Sequence, residues 1–359
     1  MQNVNLQIIL LLNWKKMNKI LSDIAYMRPV LILILVFYHA FAISNGGWDT
    51  PAGFKTNMAY EWMANYAYSY MLEAFTFMSG FVFAFQCYGL KKNKTFWELT
   101  KKKFQRLIVP SIIFGILYIV LFYDLTNIDK IVYDICLGGV GHLWYLPMLF
   151  WCFLISWLLN RYTKRLTVRL IFIVVMALFS FVPLPFRMTS SMFFFLFFYL
   201  GQICYHFSDK LMKIVTARRL VLGWFFYLFF FYVMYMIQEN LTDKYVLIIE
   251  LYKRIPVLAF INLVHITYST VGTLLFYLTA NHYSLSHNVS DCVIKVGGYC
   301  FGIYIFQQFI LKGLYFHTAL PKLIPSLVLP WIGFMVALVI SYLLTSLLMR
   351  YKLGKQLIG

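Results

Sequence analysis

RPVLILILVFYHAFAI, residues 28–43, decides the fold. One Arg opens the run, one His stands near its end, and the rest is almost wholly apolar. A helix crossing a bilayer needs about 20 largely apolar residues, and with its flanks this run spans 24–44. Working outward, nine further segments qualify: roughly 62–88, 107–123, 142–160, 168–186, 190–207, 220–238, 255–279, 294–313 and 328–349. The gaps between them are too short for a soluble domain. The expected fold is therefore all-α: a polytopic membrane protein of about ten transmembrane helices with both termini cytoplasmic. Residues 1–23 form a cytoplasmic or interfacial segment, 24–349 the membrane domain, and 350–359 a short basic tail. The apolar run Leu6–Leu12 is too short for a signal peptide and its charges follow it; Met17 is an alternative start.

Composition points the same way. Hydrophobic residues make up 62% of the 359 and charged residues 12%, about half the charged share of a soluble domain. Such a chain cannot cover a water-facing surface.

The net charge of +18 would suggest nucleic acid in a soluble protein, but here it reports topology. With the N-terminus inside, 23 of the 31 Lys and Arg fall in cytoplasmic segments, as oriented membrane proteins require. These include Lys15, Lys16, Lys19, Lys210 and Lys213. The segment 89–106 is the densest, and its charge also suits contact with anionic membrane lipids. No nucleic-acid partner is expected. The six cysteines show no paired spacing, and His282 and His287 alone do not make a metal site, so no metal is expected.

Ionisable side chains within a span are costly and are functional candidates. His39 falls about two-thirds along the first span and Glu73 near the middle of the second. If the two meet, a carboxylate on one imidazole nitrogen fixes the tautomer and raises the basicity of the other, as a general base for a hydroxyl requires. A purely structural His–Glu bond or a proton-relay step are the alternatives. Arg28 lies eleven residues before His39, about 16 Å nearer the cytoplasm on a helix. It either snorkels to lipid phosphate or holds an anion below the base. Lys103 and Arg106, just before Pro110, are placed to grip a phosphate. Ser79–Gly80 permits close helix approach. His142 and Trp144 mark the outer start of the fourth span. His265 and His206 read as packing histidines.

These segments resemble the acyltransferase-3 family of bacterial integral-membrane O-acyltransferases of cell-surface glycans. Arg28 and His39 match its basic-residue, ten-residue gap, His pattern. EAFTFMSGF (73–81) is similar to its acidic-x-Phe-Phe-x-x-Ser-Gly-Phe, with Thr76 replacing the second Phe. KKKFQRLIVP resembles its basic stretch before Pro, HLWYL its His-Leu-Trp-Phe-Leu, and FFYLG its Phe-x-Leu-Gly. CFGIYIFQQF departs from the family's Ser-Tyr/Phe-Gly-Ile-Tyr-Leu-x-His-Gln at Cys300 and Gln307. Many members carry a further extracytoplasmic domain, which these 359 residues lack.

The resemblance implies a bacterial inner-membrane enzyme with no permanently bound cofactor, taking acetyl-CoA or another acyl-CoA as co-substrate and a glycan as acceptor. His39 and Glu73 would be catalytic. Arg28, Lys103 and Arg106 would bind acyl-CoA. Ser79, His142 and Trp144 would be acceptor-side or structural. Direct transfer and an acyl-histidine intermediate both remain open. The rival reading is a proton-coupled transporter or polysaccharide exporter using His39 and Glu73, but the first two spans lack the paired interruptions it calls for apart from Pro29 and Gly80.

Overall fold

A computed structural model describes residues 2–92, 94–212, 215–247, 251–287 and 289–359. Lys213 lies outside the described residues, as do the side chains of Lys15, Lys16, Lys19 and Lys210. Helix accounts for 82% of the chain, and the described residues contain no strand. The helices in order are α1 Gln2–Phe41, α2 Met58–Ala84, α3 Phe96–Lys103, α4 Val109–Phe122, α5 Ile128–Tyr133, α6 Tyr145–Tyr162 and α7 Leu166–Leu178. They continue as α8 Met188–Met212, α9 Ala217–Leu247, α10 Leu251–Ser286, α11 Asp291–Phe316, α12 Leu320–Leu323, α13 Leu329–Leu348 and α14 Lys352–Ile358.

Nine candidate spans among the described residues are long and apolar enough to cross a membrane. The tenth expected crossing is α7, whose 13 residues rise only about 20 Å. Parity nevertheless requires it. Arg28 at the start of the first span and Met349 after the last border one cavity, so the spans begin and finish at the same end of the bundle. The irregular stretch after Leu178 completes the crossing, reaching Arg187 at the opposite end over the Trp144 ring. Apolar side chains of α4, α9 and α13, such as Ile116, Phe225 and Leu343, stand exposed. Hydrocarbon in place of water removes the cost of that exposure.

The densest packing joins α2 to α8, and glycine makes it possible. A Cβ on Gly80 would lie 1.8 Å from the Phe198 carbonyl oxygen, and one on Gly201 would lie 2.0 Å from that of Phe77. Each helix thus presents a bare backbone to the other. At the basic end Asn281 and Ser284 of α10 donate to the buried carboxylate of Asp23 on α1. A charge otherwise stranded in a desolvated site is thereby satisfied.

The basic segment is ordered by its own sequence. Thr95 and Glu98 form a capping box: the Glu98 carboxylate accepts from the Thr95 N–H at 2.9 Å, and the Thr95 hydroxyl accepts from the Glu98 N–H at 3.3 Å. This arrangement satisfies orphan donors at the start of α3. A π-turn, Phe104–Ile108, joins α3 to α4. Pro110 follows it and has no N–H to give the carbonyl four residues back, at Arg106. The widened turn carries Arg106 between Lys103 and α4, and both basic side chains border one cavity.

Candidate functional site

Two cavities enter the bundle from opposite ends. The basic-end cavity, about 440 Å³, is bordered by Arg28, Ser79, Lys103 and Arg106. The other, about 560 Å³, is bordered by His39, His142 and Trp144. Leu35, Leu72, Tyr145 and Tyr304 border both, so the partition between the cavities runs through these four side chains.

His39 stands in the last turn of α1, further along than two-thirds of the span. The chain then folds back: the Trp48 N–H donates to the Ala42 carbonyl at 3.0 Å, and the Trp48 ring stacks on His39 with centroids 5.7 Å apart and planes 15° apart. Tyr315 of α11 donates to the Ala40 carbonyl at 2.8 Å, fixing the helix end. The His39 Nδ1 is buried without a hydrogen-bond partner, and so is Gln307 Oε1. The Gln307 side chain approaches the imidazole but falls short of full hydrogen-bond geometry. His39 therefore borders the cavity with its imidazole uncommitted.

His142 is committed. Its ring centroid is 6.3 Å from that of His39. Its Nδ1 lies 2.6 Å from Gln308 Oε1 and its Nε2 lies 2.9 Å from the Ile305 carbonyl. A carbonyl only accepts, so Nε2 carries a proton. The His142 backbone N–H also donates to Gln308 Oε1, at 2.9 Å. Gly141 permits this approach: its φ is +49°, and a Cβ there would lie 2.9 Å from Gln308 Oε1. His142 is thus a fixed wall and His39 the available base. Trp144 carries Arg187 over its ring at 4.7 Å.

Glu73 is elsewhere, which corrects the expected His39–Glu73 pair. Its Oε1 lies 3.2 Å from Nε2 of His265 on α10, and its Oε2 is buried without a partner. Equal depth did not bring the two expected partners together, because each residue along a helix turns its side chain by about 100°. Glu73 looks toward α10, while His39 looks toward the loop at Trp48 and the turn at His142. His265, expected as a packing histidine, is the carboxylate's actual partner. His206 does pack, against Tyr88 at 4.8 Å.

At the basic end Lys103 Nζ sits 3.3 Å from the Phe153 ring centroid, and Arg106 donates to the Gly359 carbonyl at 3.2 Å. The Ser79 hydroxyl donates back to the Phe75 carbonyl at 3.0 Å while bordering the same cavity. Sequence reading missed several residues here. Lys312 borders the opposite-end cavity and lies 4.9 Å from the Trp48 ring centroid; as a lysine within an apolar span it carried the same signal as His39. Trp48 and Gln308 gave no comparable signal, since a loop Trp and a Gln are ordinary in such a chain.

Together these features define a class: a helical membrane bundle with a basic cavity and a polar, aromatic one meeting beside a buried uncommitted histidine. The chain belongs to the acyltransferase-3 family, whose model, described as an acyltransferase domain, matches residues 21–350. It is a membrane acyltransferase. Neither the curated proteins nor the solved structures compared with it include a match.

Proposed function

We propose that the protein moves an acyl group, acetyl by preference, from acyl-CoA to a hydroxyl of a glycan at a bacterial cell membrane. The observation that carries this reading is the pair of cavities separated by a single partition beside His39. The basic end faces the cytoplasm, since Lys and Arg collect on that side. CoA is cytosolic and polyanionic, and its phosphates meet Arg28, Lys103 and Arg106. Its arm then brings the thioester to the partition. The acceptor enters the opposite cavity, whose aromatic walls and Asp49, Asp124 and Lys130 suit a sugar.

In the transfer step His39 takes the proton of the acceptor hydroxyl. The oxygen attacks the thioester carbonyl, the C–S bond breaks, and the CoA sulfur leaves and is protonated. The orienting neighbour of His39 in this scheme is Gln307 in place of a carboxylate. Glu73 and His265 hold α2 to α10 and do not touch either substrate. Ser79 borders the donor path, and His142 and Trp144 shape the acceptor side.

Release of free CoA thiol from acetyl-CoA by the purified protein with surface glycan tests this reading. His39→Ala should abolish release while the protein keeps its wild-type melting temperature. A His39→Ala protein as active as wild type would remove His39 from the chemistry. Proton-driven substrate uptake by the protein in vesicles, with no thiol release, would favour the transporter.

A further inference from the structure

A third cavity, about 540 Å³, lies at the basic end. Phe83 and Gln86 border both it and the cavity of Arg28, Lys103 and Arg106, so the two adjoin at these side chains. Its volume falls in the range of small-molecule sites, and its border includes Lys92, Lys94 and Arg161. Among the described residues none of these three is ion-paired. Glu98, the one acid between residues 89 and 106, is occupied in the capping box at Thr95. The cations are also crowded: the Lys94 ammonium is pulled below its ordinary range, first by partial burial and then by Lys102 and Lys92. Like charges gathered around a half-open recess make a site for a polyanion.

Beside these cations the wall is aromatic. Phe96 lies against Trp157 with ring centroids 5.3 Å apart, and Trp157 Nε1 donates to the Lys94 carbonyl at 3.0 Å. That bond fixes the indole and the backbone of Lys94 together. A flat ring and a phosphate can thus be held side by side, the first against Phe96 and Trp157, the second by Lys92, Lys94 and Arg161.

We infer that this third cavity binds the phosphorylated adenosine head of the acyl-CoA donor while its arm runs past Gln86 into the neighbouring cavity. The inference rests on the donor being a CoA thioester. A phospholipid headgroup offers the same phosphate chemistry, but it brings no flat ring to the aromatic wall.

Two measurements test it. Cys87 borders the cavity and is half-buried, whereas Cys292 is exposed elsewhere. Acetyl-CoA, whose sulfur is capped and cannot consume the reagent, should slow maleimide labelling of Cys87 and not of Cys292 in the absence of acceptor, and acetyl-pantetheine should slow neither. In the second, Lys94→Gln and Arg161→Gln should lower the selectivity for acetyl-CoA over acetyl-pantetheine, as the ratio of kcat/KM values, on the order of tenfold each, the worth of one charge-assisted hydrogen bond. Equal protection of Cys87 by acetyl-CoA and acetyl-pantetheine, or an unchanged ratio, would overturn the inference. So would an effect of either substitution that vanishes in phosphatidylcholine vesicles lacking anionic lipid, since the cavity would then hold a lipid headgroup. A wild-type protein that releases no thiol from acetyl-CoA would instead overturn the donor reading on which the inference stands.

Discussion

Thr76 Oγ1 and the Tyr145 hydroxyl lie 3.0 Å apart within the partition between the two cavities. Both positions depart from the pattern the sequence otherwise resembles, which has Phe at each, and here the departures meet. The Thr76 proton is committed to the Leu72 carbonyl at 2.9 Å, so Tyr145 is the donor. Thr76→Val should therefore strand a buried phenol and cost about 1–3 kcal/mol, whereas Tyr145→Phe leaves Thr76 still bonded and should cost less. The double variant Thr76→Val/Tyr145→Phe should be more stable than Thr76→Val alone. Thermal unfolding of the four proteins in detergent completes the cycle, and strict additivity would show that the contact carries no energy.

The Glu73–His265 pair makes a second prediction, because it separates a structural carboxylate from a catalytic one. Glu73→Ala removes the partner of a histidine that is about one quarter exposed. The expected loss is about 1–3 kcal/mol of stability, read as a lower melting temperature. Turnover per folded molecule should persist, since neither Glu73 nor His265 borders either of the two cavities that adjoin the partition. Loss of turnover at full stability would return Glu73 to the chemistry.

Much of this architecture was legible in the sequence, because a bilayer admits so few solutions. Length and apolarity found the spans, and the bias of Lys and Arg gave their alternation. That alternation also required α7 to cross despite its length. The shared cavity of the basic trio was legible for a related reason: Arg28, Lys103 and Arg106 are cations just where a span meets the basic end, and they do border one cavity. Azimuth was not legible. Glu73 and His39 shared a depth, but a uniformly apolar helix has no polar face to tell which neighbour it addresses. Gln308 was hidden by its chemistry, since its work is to accept the backbone N–H of His142, and nothing in FQQF distinguishes it from Gln307.

The glycine contact between α2 and α8 allows a test of packing apart from chemistry. Gly80→Ala places a methyl carbon 1.8 Å from the Phe198 carbonyl oxygen, and a backbone atom cannot rotate away. The helices must separate, at a cost of about 1–3 kcal/mol or more. Gly115→Ala on α4 is the comparison, because its nearest neighbour would be the Val140 side chain at 3.9 Å, an ordinary contact. Yield of folded protein by size-exclusion chromatography should fall sharply for the first variant and hold for the second.

The partition also predicts the order of events in transfer. In the proposed scheme the cavity of about 440 Å³ takes the donor and that of about 560 Å³ the acceptor, so both would be bound at once. A shared pocket would force the first product out before the second substrate entered, and the acyl group would wait on the enzyme. Two rooms remove that need, and they bring thioester and hydroxyl together across Tyr145 and Tyr304 by holding each in place. Initial rates measured over a grid of acetyl-CoA and acceptor concentrations should give intersecting double-reciprocal lines. Parallel lines, together with acetyl trapped on His39 in peptides from enzyme quenched without acceptor, would show a covalent intermediate instead. Tyr145→Phe offers a check within the same assay: it alters a side chain common to both cavities, so the KM of each substrate should shift, whereas Arg28→Gln should raise the acetyl-CoA KM alone.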